Sequence, residues 1–398
     1  MKKLLLLGGS RYLLPVIREA HYLGYHVITC DYLPDNIAHK YSDEYHNVSI
    51  IDKEAVLELA KRLQVDGIMS FATDPGVLTA AYVSEKLGLP TPPYRSVEIL
   101  QNKDKFRAFL TEHGFQVPKA RGYDCVEDAL KDTGCFRWPV IVKPVDSAGS
   151  KGVTKVETPD ELESSLRFAL QFSIGKRFII EEFIEKEGDS SDTDCFSVDG
   201  ELKFVSFSNQ KFDEAAQNPY TPAAYSWPSH MPADCQKELR DELQRLIRLL
   251  DMGTSIYNVE TRLGKDGKAY IMECSPRGGG NRLSEVLHYA TGVNLIRSAV
   301  LAAVGEKAAL EVSQKPYQGY WGECILHSDA EGAFDELVIS PELRPFVYET
   351  DLWVERGETV KCFTGANEAI GTLVLRFDTP EQQQMLDHIQ ELVKVSVK

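Results

Sequence analysis

Positive charge is scarce in this chain. Its 398 residues carry 44 Lys and Arg against 60 Asp and Glu, a formal net charge of −16. That balance excludes a global basic footprint for nucleic acid or for an anionic membrane surface. Any phosphate-bearing ligand must be held by a local cluster that works against the overall field. Long apolar runs are lacking too, and no stretch nears the ~20 residues needed to cross a bilayer. Lys2 and Lys3 do precede Leu4–Leu7, but this run stops at Gly8-Gly9-Ser10. It is too short for a secretory signal and suits a buried first strand. No two of the eight cysteines form a CxxC pair, so reduced core thiols in a cytoplasmic protein are expected. Gly8-Gly9 has no third glycine in the place that G-x-G-x-x-G requires, which disfavours a nicotinamide or flavin oxidoreductase. Long disorder is excluded as well, since 43% of residues are apolar and 26% charged.

What is present begins with alternation. Leu4–Leu7, His26–Cys30 and Gly67–Ser70 are strand-like. Helical stretches lie near Leu13–Leu23, from a cap at Asp52 to Leu63, and on to Leu87. Strands alternating with helices indicate a parallel sheet. Ligands gather beyond the carboxyl ends of such strands, here Gly8–Arg11, Asp31 and Thr73-Asp74. Leu89-Pro90-Thr91-Pro92-Pro93 is a rigid boundary. A helical segment then runs from about Val97 to His113, and Pro139–Lys143 is a strand. Thr158-Pro159-Asp160-Glu161 has the form of a capping box with proline at the first helical position. Arg177–Phe183 is strand-like. Gln210–Asp234 lacks periodicity and holds five Pro or Trp residues, so a long functional loop is expected there. Gln236–Leu250 is an amphipathic helix. Tyr257–Leu263 and Ala269–Cys274 flank the hairpin signal Gly264-Lys265-Asp266-Gly267. Beyond about Gly305 the pattern is strand-rich, and Thr379-Pro380-Glu381-Gln382 caps a last helix.

Three clusters carry chemistry. Lys143 ends the buried strand Val140-Ile141-Val142-Lys143-Pro144, and a core lysine is rare unless paired. The loop Ser147-Ala148-Gly149-Ser150-Lys151-Gly152-Val153 follows, with N–H, O–H and ammonium donors that suit phosphate oxygens. It does not match the Walker A spacing, and a solvated hairpin would have the same composition. Second, alternation puts Glu273, Ser275 and Arg277 on one strand face, and the tight turn sets Glu260 beside Glu273. Two such carboxylates repel unless a cation lies between them, and oxygen ligands near a phosphate site favour Mg²⁺. A solvated face with Glu–Arg pairs is the other reading. Third, Gly278-Gly279-Gly280-Asn281-Arg282 suits either a close backbone approach to a ligand or plain loop slack.

In order and spacing, these residues resemble the ATP-grasp superfamily of carboxylate–amine ligases and their carboxylase relatives. Lys103 and Arg107 come before Gly114; Lys143, the Ser/Gly loop, Glu181-Glu182-Phe183-Ile184, Glu260 and Glu273-x-Ser275-x-Arg277 follow. The Glu273–Gly280 run looks most like the amino-acid ligase and phosphoribosylglycinamide-synthetase-like branches, with the carbamoyl-phosphate-synthetase-like branch beside them. The resemblance implies an α/β chain in three parts. Residues 1–92 would be a Rossmann-like pre-ATP-grasp domain with a parallel sheet. Residues 93–305 would be a two-lobed α+β ATP-grasp domain with a mobile lid at about 115–187, and residues 306–398 a small strand-rich domain.

It also implies roles. Lys103 and Lys143 would contact ATP phosphates under the lid loop with Ser147, Gly149, Ser150, Lys151 and Gly152. Glu181, Glu182, Phe183 and Ile184 would form the hinge, the Glu182 carbonyl and Ile184 amide meeting adenine. Glu260, Glu273 and Ser275 would hold Mg²⁺, with Mn²⁺ the alternative. Ser275 stands where the family usually has Asn, and would bind metal through water. Asp189 would replace the family's acidic ribose contact. Arg277, with Lys143, would be catalytic, and Gly278, Gly279, Gly280, Asn281 and Arg282 would receive the carboxylate substrate. The activity implied is ATP-dependent amide formation from a small carboxylate and an amine through an acyl phosphate. The enzyme would be cytoplasmic, with a homodimer allowed and neither nucleic acid nor membrane as partner. A bicarbonate-using carboxylase type and a catalytically weak ATP-binding module are the alternatives.

Overall fold

Leu4–Leu7 are buried without alternation, as a parallel strand covered on both faces requires. In the computed structural model, which describes residues 1–147, 149–307 and 312–398, they belong to the first of four parallel strands. These are β1 (Lys3–Leu7), β2 (His26–Cys30), β3 (Glu44–His46) and β4 (Gly67–Ser70), in the order β3-β2-β1-β4. Asp52 caps the helix Lys53–Leu63 by accepting from Ala55 N at 3.0 Å. The chain leaves β4 and enters helix Asp74–Leu87, so Asp74 stands at the carboxyl edge of the sheet, where ligands collect.

The single helix expected from Val97 to His113 is instead two, Tyr94–Gln101 and Lys103–Glu112. Asn102 separates them in an extended conformation, and its Nδ2 donates to Glu98 O at 2.8 Å. Asparagine favours such breaks because its amide competes with the helix for backbone partners. The break makes Lys103 the first residue of a new helix.

A small lobe follows. β5 (Ala120–Tyr123), β6 (Val140–Pro144), β7 (Thr154–Val156) and β8 (Phe178–Glu182) form an antiparallel sheet, order β5-β8-β6-β7. It has its own core, in which Val140, Val142, Ile180, Leu162 and Leu166 meet. The capping box expected at Thr158 does not form. Pro159–Glu161 is a 3-10 turn, Glu161 accepts from Glu157 N at 3.3 Å, and the α-helix begins at Leu162. Glu161 is drawn to the nearer amide ahead of the cap.

The larger lobe carries β9 (Ser191–Val198), β10 (Glu201–Phe204), β11 (Asn209–Phe212), β12 (Pro222–Trp227), β13 (Ser255–Leu263) and β14 (Ala269–Ser275). Of these, β10-β9-β13-β14 is one antiparallel sheet, backed by the amphipathic helix Ala233–Leu249 through Leu239, Leu243 and Leu246. The segment expected as a long loop over 210–234 is thus partly strand. β12 shows no polar alternation because Ala223–Trp227 are all buried, so a period of two had nothing to mark. It pairs with β15 (Tyr320–Leu326), and the five-stranded sheet β11-β12-β15-β19-β17 is completed by β17 (Val347–Leu352) and β19 (Gly371–Phe377). This sheet spans the line drawn between residues 305 and 306. The capping box at Thr379 does form, with Gln382 answering the cap. Among the described residues, no helix is long and apolar enough to cross a membrane.

Candidate active site

Strand alternation and the Gly264–Gly267 turn put Glu260 and Glu273 directly opposite each other on β13 and β14. Both side chains keep an opening to solvent, 30% for Glu260 and 44% for Glu273, but are otherwise ringed by protein. Glu260 is pushed well above the usual carboxylate range by that enclosure and by the charge of Glu273. Its nearest cation, Arg262, is 3.7 Å away. Burial would raise Glu273 too, but Lys103 and Lys143 hold it down. Lys103 Nζ lies 3.1 Å from Glu273 and donates to Ser147 O at 2.9 Å. The pair therefore presents opposed oxygen donors, one of them poorly compensated. That fits a hard divalent cation such as Mg²⁺.

Behind it lies a buried ion triad. Glu181, 2% exposed, takes Lys143 Nζ at 2.5 Å and Arg107 Nε at 3.0 Å. Arg107 also donates to Met272 O at 2.8 Å, tying the small lobe to β14. Burial alone would raise Glu181, but the two cations hold it at about 2. Glu181 thus positions Lys143. Glu182 is gripped by Arg137 through N, Nε and NH2 at 3.0, 2.9 and 2.7 Å. Its amide bonds Lys119 O at 2.9 Å, and Phe183 N bonds Pro139 O at 3.1 Å. The chain leaves the sheet there, and Ile184 O accepts from Arg262 at 3.1 Å.

The lid loop joins β6 to β7 as a hairpin. Ala148 lies outside the described residues; Ser150 Oγ donates to Tyr220 O at 2.9 Å. Gly149, Ser150 and Gly152 all have positive φ, and a Cβ on Gly152 would meet Phe172 and Pro144 at 2.9 Å. Lys151 is exposed. Asp189 is part-buried, and Lys211 binds one of its oxygens at 2.6 Å while also binding Asp387 at 2.6 Å.

Arg277 is fixed by a residue at the carboxyl edge of the N-terminal sheet, the first of helix Asp74–Leu87. Asp74 takes its Nε at 3.0 Å and NH2 at 2.7 Å, a two-point grip. Ser275 is held by protein on two sides. Its Oγ donates to Asp74 at 2.8 Å and accepts from Gln101 at 2.6 Å. The glycine run is tightly built. A Cβ at Gly278 would sit 2.1 Å from Phe71, and one at Gly279 would strike Leu283, Asn258 and Asp194. Gly279 N donates to Asp194 at 2.8 Å, and Ser284 closes on the same carboxylate. A Cβ at Gly280 would make only ordinary contacts, with Tyr12 at 3.7 Å and Ala72 at 4.0 Å. Asn281 accepts from Tyr12 OH at 2.9 Å, and Arg282 pairs with Glu285 at 3.3 Å and Glu349 at 3.0 Å.

This layout can seat a polyphosphate between Lys103 and Lys143, a cation at the Glu pair, and an anionic reacting group at Arg277. Comparison with known proteins agrees. Residues 136–285 match the family model described as ATP-grasp domain. By that match, residues 136–285 are similar to an ATP-grasp domain. Over 286 residues it is 26% identical to the carbamoyl phosphate synthase large chain of Thermotoga petrophila, covering 71% of this chain and 25% of that one. The chain thus spans about a quarter of the length of the curated relatives it matches. By structure it resembles the L-amino acid ligase of Bacillus licheniformis, with TM-score 0.83, 20% identity and coverage of 100% and 99%. It also resembles phosphoribosylglycinamide synthetase of Anaerococcus prevotii, with TM-score 0.77, 21% identity and full coverage of both chains. The expected α/β class and the ATP-grasp fold are therefore correct.

Three further residues that contact this cluster carry no role in the sequence reading. Asp74 lay at a strand end marked for ligands but had no role assigned. Asp192 and Asp194 alternate on one face of β9, a period-two signal that was available; burial pushes both up to about 6.

Proposed function

We propose that the chain is an Mg²⁺-ATP-dependent ligase that activates a small carboxylate as an acyl phosphate and joins it to an amine. The observation that carries this reading is the clustering of Lys103 and Lys143 with the opposed Glu260–Glu273 pair, and of Arg277 with Asp74, which also bonds Ser275 on the same strand as Glu273. Phosphoryl transfer asks for positioning and charge neutralisation more than for a protein nucleophile. Lys103 and Lys143 would hold ATP phosphates, with Ser147, Gly149, Ser150, Lys151 and Gly152 folding over them. Glu182, Phe183 and Ile184 would border adenine. Glu260 and Glu273 would hold Mg²⁺, or Mn²⁺, which neutralises phosphate charge when bound. Arg277 would stabilise charge on the phosphoryl group and the acyl phosphate. Gly278–Arg282 would receive the carboxylate, with Asp194 fixing the loop through Gly279 N.

The division into residues 1–92, 93–305 and 306–398, with a lid at about 115–187, belongs to this proposal, as do a cytoplasmic location and a homodimer. All eight cysteines are unpaired, which supports a reducing compartment. The test is ADP release, measured with a panel of amino acids and small carboxylates, singly and in pairs with amines. Release that needs both a carboxylate and an amine is expected. Release driven by bicarbonate alone would favour the carboxylase type, and no release with any pair would favour a binding module.

A further inference from the structure

Glu323 lies in β15, the middle strand of the five-stranded sheet, with Tyr225 and Val374 as its register partners. It is fully buried, and neither oxygen of its carboxylate meets a hydrogen-bond partner. Buried polar groups are nearly always paired, so an orphan of this kind calls for a ligand. The neighbouring charges are already committed. Arg282 is bound by Glu285 at 3.3 Å and Glu349 at 3.0 Å. Asp192 takes Asn258 Nδ2 at 2.8 Å and Tyr225 OH at 3.1 Å. Two guanidiniums, Arg282 and Arg277, thus face Glu285, Glu349, Asp74, Asp192 and Glu323, and the local balance is negative. Burial, together with Asp192 and Glu285, pushes Glu323 well above the usual carboxylate range.

A short chain of contacts links Glu323 to the candidate active site. Its register partner Tyr225 donates to Asp192 at 3.1 Å, Asp192 takes Asn258 of β13 at 2.8 Å, and Tyr12 bonds Asn281 of the glycine loop at 2.9 Å. A small cation with N–H donors satisfies a lone carboxylate beside aromatic rings. No residue of the phosphate-binding machinery uses Glu323.

Resting on the ligase reading above, we propose that Glu323 receives the protonated amino group of the amine substrate, which is therefore a primary amine that enters as an ammonium. Glu323 is enclosed in this state, so uptake requires the structure around it to open.

The test separates this site from the ligase reading. Glycinamide offers an ammonium without a carboxylate, and acetamide is its neutral counterpart. Calorimetry with each, in the presence of Mg²⁺ and a non-hydrolysable ATP analogue, should show binding of glycinamide only. Glu323→Gln should weaken it by at least about tenfold, and Glu323→Asp should restore part of the loss. Thermal melts of both variants verify folding. In parallel, hydroxylamine, neutral at neutral pH, traps acyl phosphates as hydroxamates. Glu323→Gln should form hydroxamate from an amino-acid panel as fast as the wild type. Equal glycinamide affinity in wild type and Glu323→Gln, or no binding to either, overturns the inference. Selective loss of glycinamide binding together with no hydroxamate from the wild type would leave the ammonium site standing and refute the ligase.

Discussion

Replacing Glu181 by Gln keeps the shape of the buried triad but removes its anion. Lys143 and Arg107 then face each other with no carboxylate between them, since Glu181 holds one at 2.5 Å and the other at 3.0 Å. Removing one partner of a buried ion pair costs about 3–5 kcal/mol, because the remaining charge stays desolvated. A cooperative unit of about 150–250 residues loses roughly 2–4 °C per kcal/mol. If the ATP-grasp domain melts as such a unit, the fall in Tm is about 6–20 °C. The sign with pH is fixed. Glu181 sits at about 2, below its ordinary 4.5, so its stabilisation is complete above the ordinary value. It is lost as pH falls through the folded value. Melting curves of wild type and Glu181→Gln should be far apart near neutral pH and converge in acid. A gap below about 2 °C at neutral pH, or one that does not narrow in acid, would refute the claim that the triad is a stabilising ion cluster.

Arg277→Ala should lower kcat by about 10²–10³ while ATP affinity stays within a few-fold, measured by steady-state kinetics and calorimetry. Asp74→Asn should lower kcat by about tenfold with KM for ATP unchanged, because it loosens the grip on Arg277 without touching nucleotide. Ser275→Ala should cost about 1 kcal/mol by denaturation and leave the Mg²⁺ requirement of ADP release unchanged. A shifted Mg²⁺ requirement would place Ser275 at the metal.

Legibility in the sequence followed local signals. β1, β2 and β4, the Asp52 cap and the β13–β14 hairpin were visible because each rests on a short run, a single cap or a turn. Glu260 and Glu273 could be paired from alternation alone. β12 could not be seen, because its strand character comes from long-range pairing with β15 and burial on both faces. The partners of Ser275 and Asp189 were equally invisible, since Asp74, Gln101 and Lys211 reach them from elements distant in sequence. Glu323 gives no sequence signal either. It lies in Trp321-Gly322-Glu323-Cys324, where nothing marks a glutamate as buried.

Lys103, Lys143, Glu260, Glu273 and Arg277 are proposed to act together in forming an acyl phosphate. The most direct test uses a carboxylate substrate labelled with heavy oxygen, with mass analysis of the phosphate released. Attack of the carboxylate on ATP moves one of its oxygens to phosphate, so labelled phosphate should appear in step with ADP in the wild type and vanish in Arg277→Ala. Phosphate released without label, in amounts matching ADP, would mean that water attacks ATP and would contradict the account.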